Sequence, residues 1–247
     1  MQESVYEVDA QLEQDHWWYV GRRKLFARVI DDLGVDPGAP TLDVGTSAGT
    51  NLRMLRDAGF SDVTGLDFSE EAARWCAEKG LGNVRQGDIT AMPFGDEAFS
   101  LVLATDIIEH VDDDARALAE IRRVLRPGSP VLITVPAFPS LWGFQDEVSH
   151  HKRRYRLAPL LERIRAAGLV PEQQFHFNYL LFGPIWAARQ VLKLWRPPAL
   201  KSESTVNTPL VNRLLGAVFD FDIATAPRFA PPFGVSILVV ARRPAVS

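Results

Sequence analysis

Thr41-Leu42-Asp43-Val44-Gly45-Thr46-Ser47-Ala48-Gly49-Thr50 is the stretch on which the fold turns. An apolar run ends in a turn of small residues, and Asn51-Leu52-Arg53-Met54-Leu55 then has the pattern of an opening helix. Val63-Thr64-Gly65-Leu66-Asp67 follows as a second strand. No side chain blocks approach to the backbone at Gly45 or Gly49. Asp67, ending the second strand, is placed to accept hydrogen bonds from ribose hydroxyls. The pattern predicts a site for a nucleoside cofactor.

Outward from this unit, short apolar runs alternate with helical patterns. Strands are predicted at Thr41–Gly45, Asp62–Asp67, Asn83–Gln86, Ser100–Thr105, Pro130–Val135 and Ser236–Ala241. Helices are predicted at Asn51–Ala58, Glu70–Lys79 and Asp113–Leu125, the last stopped by Arg126-Pro127-Gly128. This alternation implies an α/β fold, a parallel sheet with helices on both faces. Two helices, Val5–Gln14 and Gly21–Leu33, precede the sheet and meet at His16-Trp17-Trp18-Tyr19. Helices at Ala158–Ala167 and Pro209–Phe219 follow it, separated by the aromatic stretch Phe175–Trp195 and the polar linker Lys201–Thr208.

With 247 residues the chain reads as one domain. Residues 1–36 form a helical lid, 37–136 the cofactor core, and 137–247 an acceptor-side loop, helical cover and last strands. The net charge of -4 argues against nucleic acid as a partner. A single cysteine, Cys76, excludes an internal disulfide framework and a multi-cysteine zinc site. The acidic first residues do not read as a signal peptide, and no apolar run has the length of a membrane span. A cytoplasmic location is the default expectation.

Two cofactors compete for the glycine turn. A dinucleotide needs its pyrophosphate on the helix N-terminus and further glycines, but Ser47 and Asn51 stand there. Asp43, just before the turn, would repel a pyrophosphate, yet it suits the cationic end of S-adenosylmethionine. Gln86-Gly87-Asp88-Ile89 adds an acceptor for an exocyclic amine at Asp88 and an aliphatic face for adenine at Ile89.

Leu42-Asp43-Val44-Gly45…Gly49, Asp67, Gly87-Asp88, Glu109-His110-Val111 and Leu125-Arg126-Pro127-Gly128-Ser129 together resemble the class I S-adenosylmethionine-dependent methyltransferases over about residues 40–136. The resemblance implies a Rossmann-like seven-stranded sheet, mostly parallel with an antiparallel last strand, and S-adenosyl-L-methionine as cofactor. The expected cofactor residues are Asp43, Gly45, Thr46, Ser47, Gly49, Asp67, Phe68, Asp88, Ile89 and Thr105, with Trp18 and Arg22 from the lid. Ser47 departs from the family's usual glycine. His16-Trp17-Trp18…Gly21-Arg22-Arg23, Asp146…His151-x-Arg153-Arg154-Tyr155 and Pro232-Phe233-Gly234-x-Ser236 look like a bacterial subgroup tied to glycosyltransferase, polyprenyl-lipid or secondary-metabolite pathways.

What these features imply chemically is methyl transfer to a small or lipid-linked acceptor, most simply at oxygen. His151 is the first candidate for the base, having an imidazole pKa near working pH, and Asp106 at the end of the fourth strand is the second catalytic candidate. Glu109 and His110 read as structural in such a family. Lys152, Arg153, Arg154 and Arg156 form a basic run that is solvated, pinned to the core, or set to hold an anionic acceptor. Residues 177–196 have an amphipathic, basic character suited to a membrane surface or to covering an apolar acceptor. No metal-ligand spacing is evident, and displacement at a sulfonium methyl requires no metal. The competing readings are a non-catalytic S-adenosylmethionine-binding module, a sulfonium-dependent enzyme of other chemistry, and an NAD-dependent oxidoreductase.

Overall fold

The computed structural model describes residues 12–194 and 208–245. Seven strands, β1 (Thr41–Val44), β2 (Val63–Asp67), β3 (Val84–Gln86), β4 (Leu101–Thr105), β5 (Pro130–Pro136), β6 (Val170–Phe177) and β7 (Ser236–Arg242), form one sheet in the order β3-β2-β1-β4-β5-β7-β6. The first five run parallel, and β7 lies antiparallel between β5 and β6. This is the Rossmann-like, mostly parallel methyltransferase sheet that the sequence implied.

Helices are α1 (Trp17–Leu33), α2 (Thr50–Asp57), α3 (Glu70–Glu78), α4 (Asp114–Val124), α5 (Phe144–Val148), α6 (Leu157–Ala166), α7 (Phe182–Leu194) and α8 (Pro209–Phe229). Alternate residues of the central strands serve two cores. Val102, Ala104, Val131 and Ile133 pack with Leu118 and Ile121 of α4 and with Leu160 of α6. Leu101, Leu103 and Leu132 pack with Phe26 of α1, Leu52 of α2 and Phe219 of α8. Strands buried on both faces read as unbroken apolar runs, which is why the sequence placed them well.

Five elements differ from expectation: α5 and α7 are helices within stretches read as a loop and as an aromatic segment, and three more are β6, α1 and α8. The strand β6 was not anticipated because it is a sheet edge: its first half, Val170 to Gln174, is largely exposed and polar, with a bulge between Pro171 and Gln173. The helix α1 starts at Trp17 rather than Gly21, since the His16 imidazole accepts from the Trp18 amide at 3.3 Å and Asn212 Oδ1 accepts from the Trp17 amide at 2.8 Å. The helix α8 runs well beyond Phe219, to Phe229, with Pro227 inside its last turn. Val5–Gln14 and Lys201–Thr208 fall mostly outside the described residues.

Gly21 sets how closely α1 and α8 meet. A Cβ there would stand 2.2 Å from the Phe219 ring, so only glycine permits the contact. Trp18 stacks on Phe219 and Phe177 at 5.2 and 5.9 Å. Trp17 meets Phe219 edge-on. No helix among the described residues is long and apolar enough to cross a membrane.

Candidate functional site

The sheet order reverses direction between β1 and β4, and ligands of open α/β sheets bind outside the carboxyl ends of strands at such a point. A cavity of about 1860 Å³ opens there. Ligand pockets commonly hold roughly 300–1,000 Å³, so this one has room for a cofactor and a second molecule.

The glycine turn forms one end. Gly45 has φ 78° and Gly49 φ 83°, and a Cβ at Gly49 would stand 2.8 Å from Cys76 Sγ and from Leu81. Cys76 is thus a packing residue beneath the turn, its thiol pushed up to about 11 by burial. Ser47 has φ 51°, in the left-handed region where glycine is costless, which explains the residue usual at this point of the family. The turn's amides are engaged within the fold. Those of Gly45 and Thr46 donate to the Leu66 carbonyl, that of Gly49 to Thr46, and that of Ser47 to Asp67 Oδ2 at 2.8 Å. A row of free amides, which a pyrophosphate would need, is missing from these four residues.

Asp67 is 7% exposed, faces the cavity, and also accepts from the Ser69 amide at 2.9 Å. Phe68, 78% exposed, stands beside it on the rim. Asp88 lines the next part of the wall and caps its own turn, with Oδ1 accepting from the Thr90 amide and hydroxyl. Ile89 is buried behind it and presents an aliphatic face.

Two predicted cofactor residues, Asp43 and Gly49, do not line this cavity; they support it from behind. Asn51, which sequence reasoning passed over, takes the place of Asp43 at the wall. Its amide nitrogen donates to Asp43 Oδ1 and to the Thr105 hydroxyl, each at 3.0 Å. Burial raises the Asp43 carboxyl to about 7, against hydrogen bonds from Asn51 and Thr46 that favour its charged form, and its Oδ2 has no partner. The unfolded chain releases this proton near 3.8 and the folded one near 7, so stability falls as pH rises between those values and levels off above. Asp43→Asn is therefore expected to remove about 4 kcal/mol of the stability change across that window. Urea unfolding at the two ends of the window measures it, and an unchanged slope would place the pH dependence elsewhere.

Beyond β4, Asp106 has φ 51° and is paired with Arg22, whose guanidinium lies over the Trp18 and Phe26 rings at 5.5 and 5.2 Å. Arg22 thus ties α1 to the strand end, and the lid residues Trp18 and Arg22 both reach the cavity wall.

The far end is a polar corner made by Glu109, His110 and His151, whose ligand-capable atoms all lie within 4.8 Å of one another. Glu109 is 0% exposed, and neither carboxylate oxygen has a partner. Burial, and then the Asp106 charge, hold its carboxyl well above the usual range. Burial and the neighbouring His151 push His110 down to about 3. The two rings meet edge-on at 4.7 Å. His151 Nδ1 pairs with Asp146 Oδ1 at 2.8 Å. Burial alone would raise Asp146, but the His151 hydrogen bond and the Arg154 charge outweigh it and hold it near 2.

Within the basic run Arg153 and Arg154 are pinned, whereas Lys152 and Arg156 are exposed, Arg156 lying over the Phe138 ring at 5.8 Å. Arg154 Nε donates to Asp146 Oδ1 at 2.8 Å and Arg153 pairs with Asp114 at 3.0 Å. The Tyr155 hydroxyl donates to Asp114 at 2.9 Å and Lys152 faces Asp112 at 3.3 Å. The two arginines and the tyrosine lock the loop carrying His151 onto α5 and the start of α4. Sequence reasoning kept Glu109 and His110 apart from His151 because only folding brings the loop after β5 against the end of β4.

The helix α7 supplies an apolar wall through Pro184, Ile185, Ala188 and Leu192. Residues 177–196 carry Arg189, Lys193 and Arg196, of which Arg189 is buried, donating to the Leu141 carbonyl at 2.6 Å. Lys193 is exposed, and Arg196 lies outside the described residues.

Residues 42–133 match the methyltransferase domain family. A demethylmenaquinone methyltransferase of Renibacterium salmoninarum is 32% identical over 133 residues, covering 51% of this chain and 53% of that protein. The chain thus spans about half the length of the curated relative. The likeness to solved structures extends further. A chain of the Haloferax volcanii complex between the Trm112 methyltransferase activator and its methyltransferase aligns over 99% of this protein and 96% of its own length, at 21% identity and TM-score 0.66. The [4+2]-cyclase SpnF aligns over 89% and 81%, at 24% identity and TM-score 0.59. These two show the shared fold.

Proposed function

We propose that this chain, whose residues 42–133 form a methyltransferase domain on the S-adenosylmethionine-binding fold, transfers the sulfonium methyl group to an oxygen of a small or lipid-linked acceptor. One observation carries the reading: Asp67, at the end of β2, faces a cavity of about 1860 Å³ beside a glycine turn in which the amides of Gly45, Thr46, Ser47 and Gly49 are engaged within the fold, which suits an adenosyl sulfonium donor and disfavours a dinucleotide. The adenosyl group fits between Asp67 and the Asp88–Ile89 segment, with its methionine end toward Asn51 and Thr105.

In the reaction the acceptor oxygen forms a bond to the methyl carbon as the carbon–sulfur bond breaks. The sulfonium becomes a neutral thioether and the hydroxyl proton leaves. The cofactor provides the electrophile, so the protein's part is alignment, exclusion of water and handling of that proton. The Glu109–His110–His151 corner is where the acceptor oxygen is met, and His151, held by Asp146, is the side chain assigned to its activation. The apolar face of α7, a relative named for demethylmenaquinone, and the likeness of His151-x-Arg153-Arg154-Tyr155 to a lipid-pathway subgroup all favour an apolar or lipid-linked acceptor. Exposed Trp186, Val191 and Leu194 on α7 would let such an acceptor enter from a membrane surface.

Methyl-labelled S-adenosylmethionine offered with lipid-linked and small phenolic acceptors tests this directly. Label recovered on acceptor oxygen supports it; binding of NADH in place of the sulfonium cofactor would overturn it. His151→Asn is expected to lower turnover by about 100-fold or more, with affinity for S-adenosylhomocysteine unchanged. An unaltered rate removes His151 from the chemistry.

A further inference from the structure

We infer that Glu109, His110 and His151 form a site for a divalent transition-metal cation that holds an acceptor through two neighbouring oxygen atoms. The acceptor half of this statement rests on the methyl-transfer reading; the cation half does not.

The first support is Glu109. Its carboxyl is fully buried, lines the cavity, and has no hydrogen-bond partner on either oxygen. A carboxyl in that state is costly to bury, and the charges of Arg22 and Arg154 offset the cost only in part, since burial and Asp106 still hold it well above the usual range. Edge-on packing explains why the two imidazoles adjoin, but leaves Glu109 unexplained. A cation among the three resolves it.

The second support is what orients the rings. His151 gives its Nδ1 side to Asp146, leaving Nε2 as the nitrogen available for coordination. Asp146 is itself fixed by the Gly143 amide at 2.7 Å and by Arg154. The backbone of Ser149 hydrogen-bonds the His110 ring. Carboxylate and backbone partners on the outer nitrogen are the usual support of metal-binding histidines.

Donor chemistry narrows the ion. Two imidazoles and one carboxylate favour manganese, iron or zinc over calcium or magnesium. Bonds of about 2.0–2.2 Å set neighbouring donors about 2.9–3.6 Å apart in a tetrahedral or octahedral set, so donor atoms that lie within 4.8 Å of one another close onto the ion by moving inward. Three protein ligands leave coordination positions open toward the cavity. An acceptor with vicinal hydroxyls, or a hydroxyl beside a carbonyl, would fill two of them. The cation would acidify the bound hydroxyl, its proton passing to water, so that His151 acts on the acceptor through the metal.

The test uses full-length protein stripped with chelator and titrated with Mn²⁺ by calorimetry and electron paramagnetic resonance. One Mn²⁺ per chain is expected. Glu109→Gln and His151→Asn should each weaken binding at least 10-fold while retaining S-adenosylhomocysteine binding as evidence of folding. Should Glu109→Gln fail to fold, His151→Asn decides alone. The absence of saturable Mn²⁺ and Zn²⁺ binding to the wild type overturns the inference, as does wild-type affinity in the folded variants. Mn²⁺ uptake without S-adenosylhomocysteine binding would keep the cation site and sink the methyl-transfer reading; the reverse result would do the opposite.

Discussion

Asp67→Ala is expected to weaken S-adenosylmethionine binding by about 100-fold or more, with the sheet intact. The carboxylate is 7% exposed and faces the cavity, so hydrogen bonds to ribose hydroxyls would form largely out of bulk water. Hydrogen bonds to a charged group contribute about 1.5–3 kcal/mol each, and two of them correspond to at least two orders of magnitude in affinity. The same side chain accepts from the Ser47 and Ser69 amides. Its removal therefore also loosens the turn, at a residue already in the left-handed region. Calorimetry with S-adenosylhomocysteine measures the loss. A change under about threefold would mean that the ribose does not sit on Asp67.

The second large effect is expected at Asp146. This carboxylate is 0% exposed and accepts from Arg154, from His151 and from the Gly143 amide. Asp146→Ala leaves the Arg154 charge, itself nearly fully buried, without its carboxylate, a loss of about 3–5 kcal/mol. For a chain of this size that corresponds to a fall in Tm of roughly 6–20 °C. The double change Asp146→Ala with Arg154→Met should recover part of the stability, because one of the two buried guanidiniums that face Asp146 goes as well, while Arg189, 3.7 Å from its Oδ2, stays. It should not recover turnover, because His151 stays without its orienting partner. Thermal unfolding and methyl-transfer rate of the two variants separate the roles; full recovery of rate would show that Asp146 serves stability alone.

The glycine turn and the strand ends beside it were legible because their signals are local. Glycine at Gly45 and Gly49 answers a positive φ and a crowded neighbour, and Asp67 follows at strand-end spacing. The acceptor side was harder to read. The edge strand β6 lacks an apolar run because half of it faces water. Glu109 and His110 read as structural from the family resemblance, and the side chain that joins them, His151, lies far along the chain. Asn51 stands at the wall in front of Asp43 because a helix turns its side chain back over the strand.

Order along the chain by itself determined the parallel sheet and the glycine turn that follows its first strand, since strand period, turn chemistry and helix caps act between near neighbours. Only the tertiary structure decided that Arg153 and Arg154 are pinned to Asp114 and Asp146, that Asp43 sits behind the wall, and that Glu109, His110 and His151 share one corner. Those arrangements depend on buried charges finding partners across the fold, and burial is a property that no short stretch of sequence possesses alone.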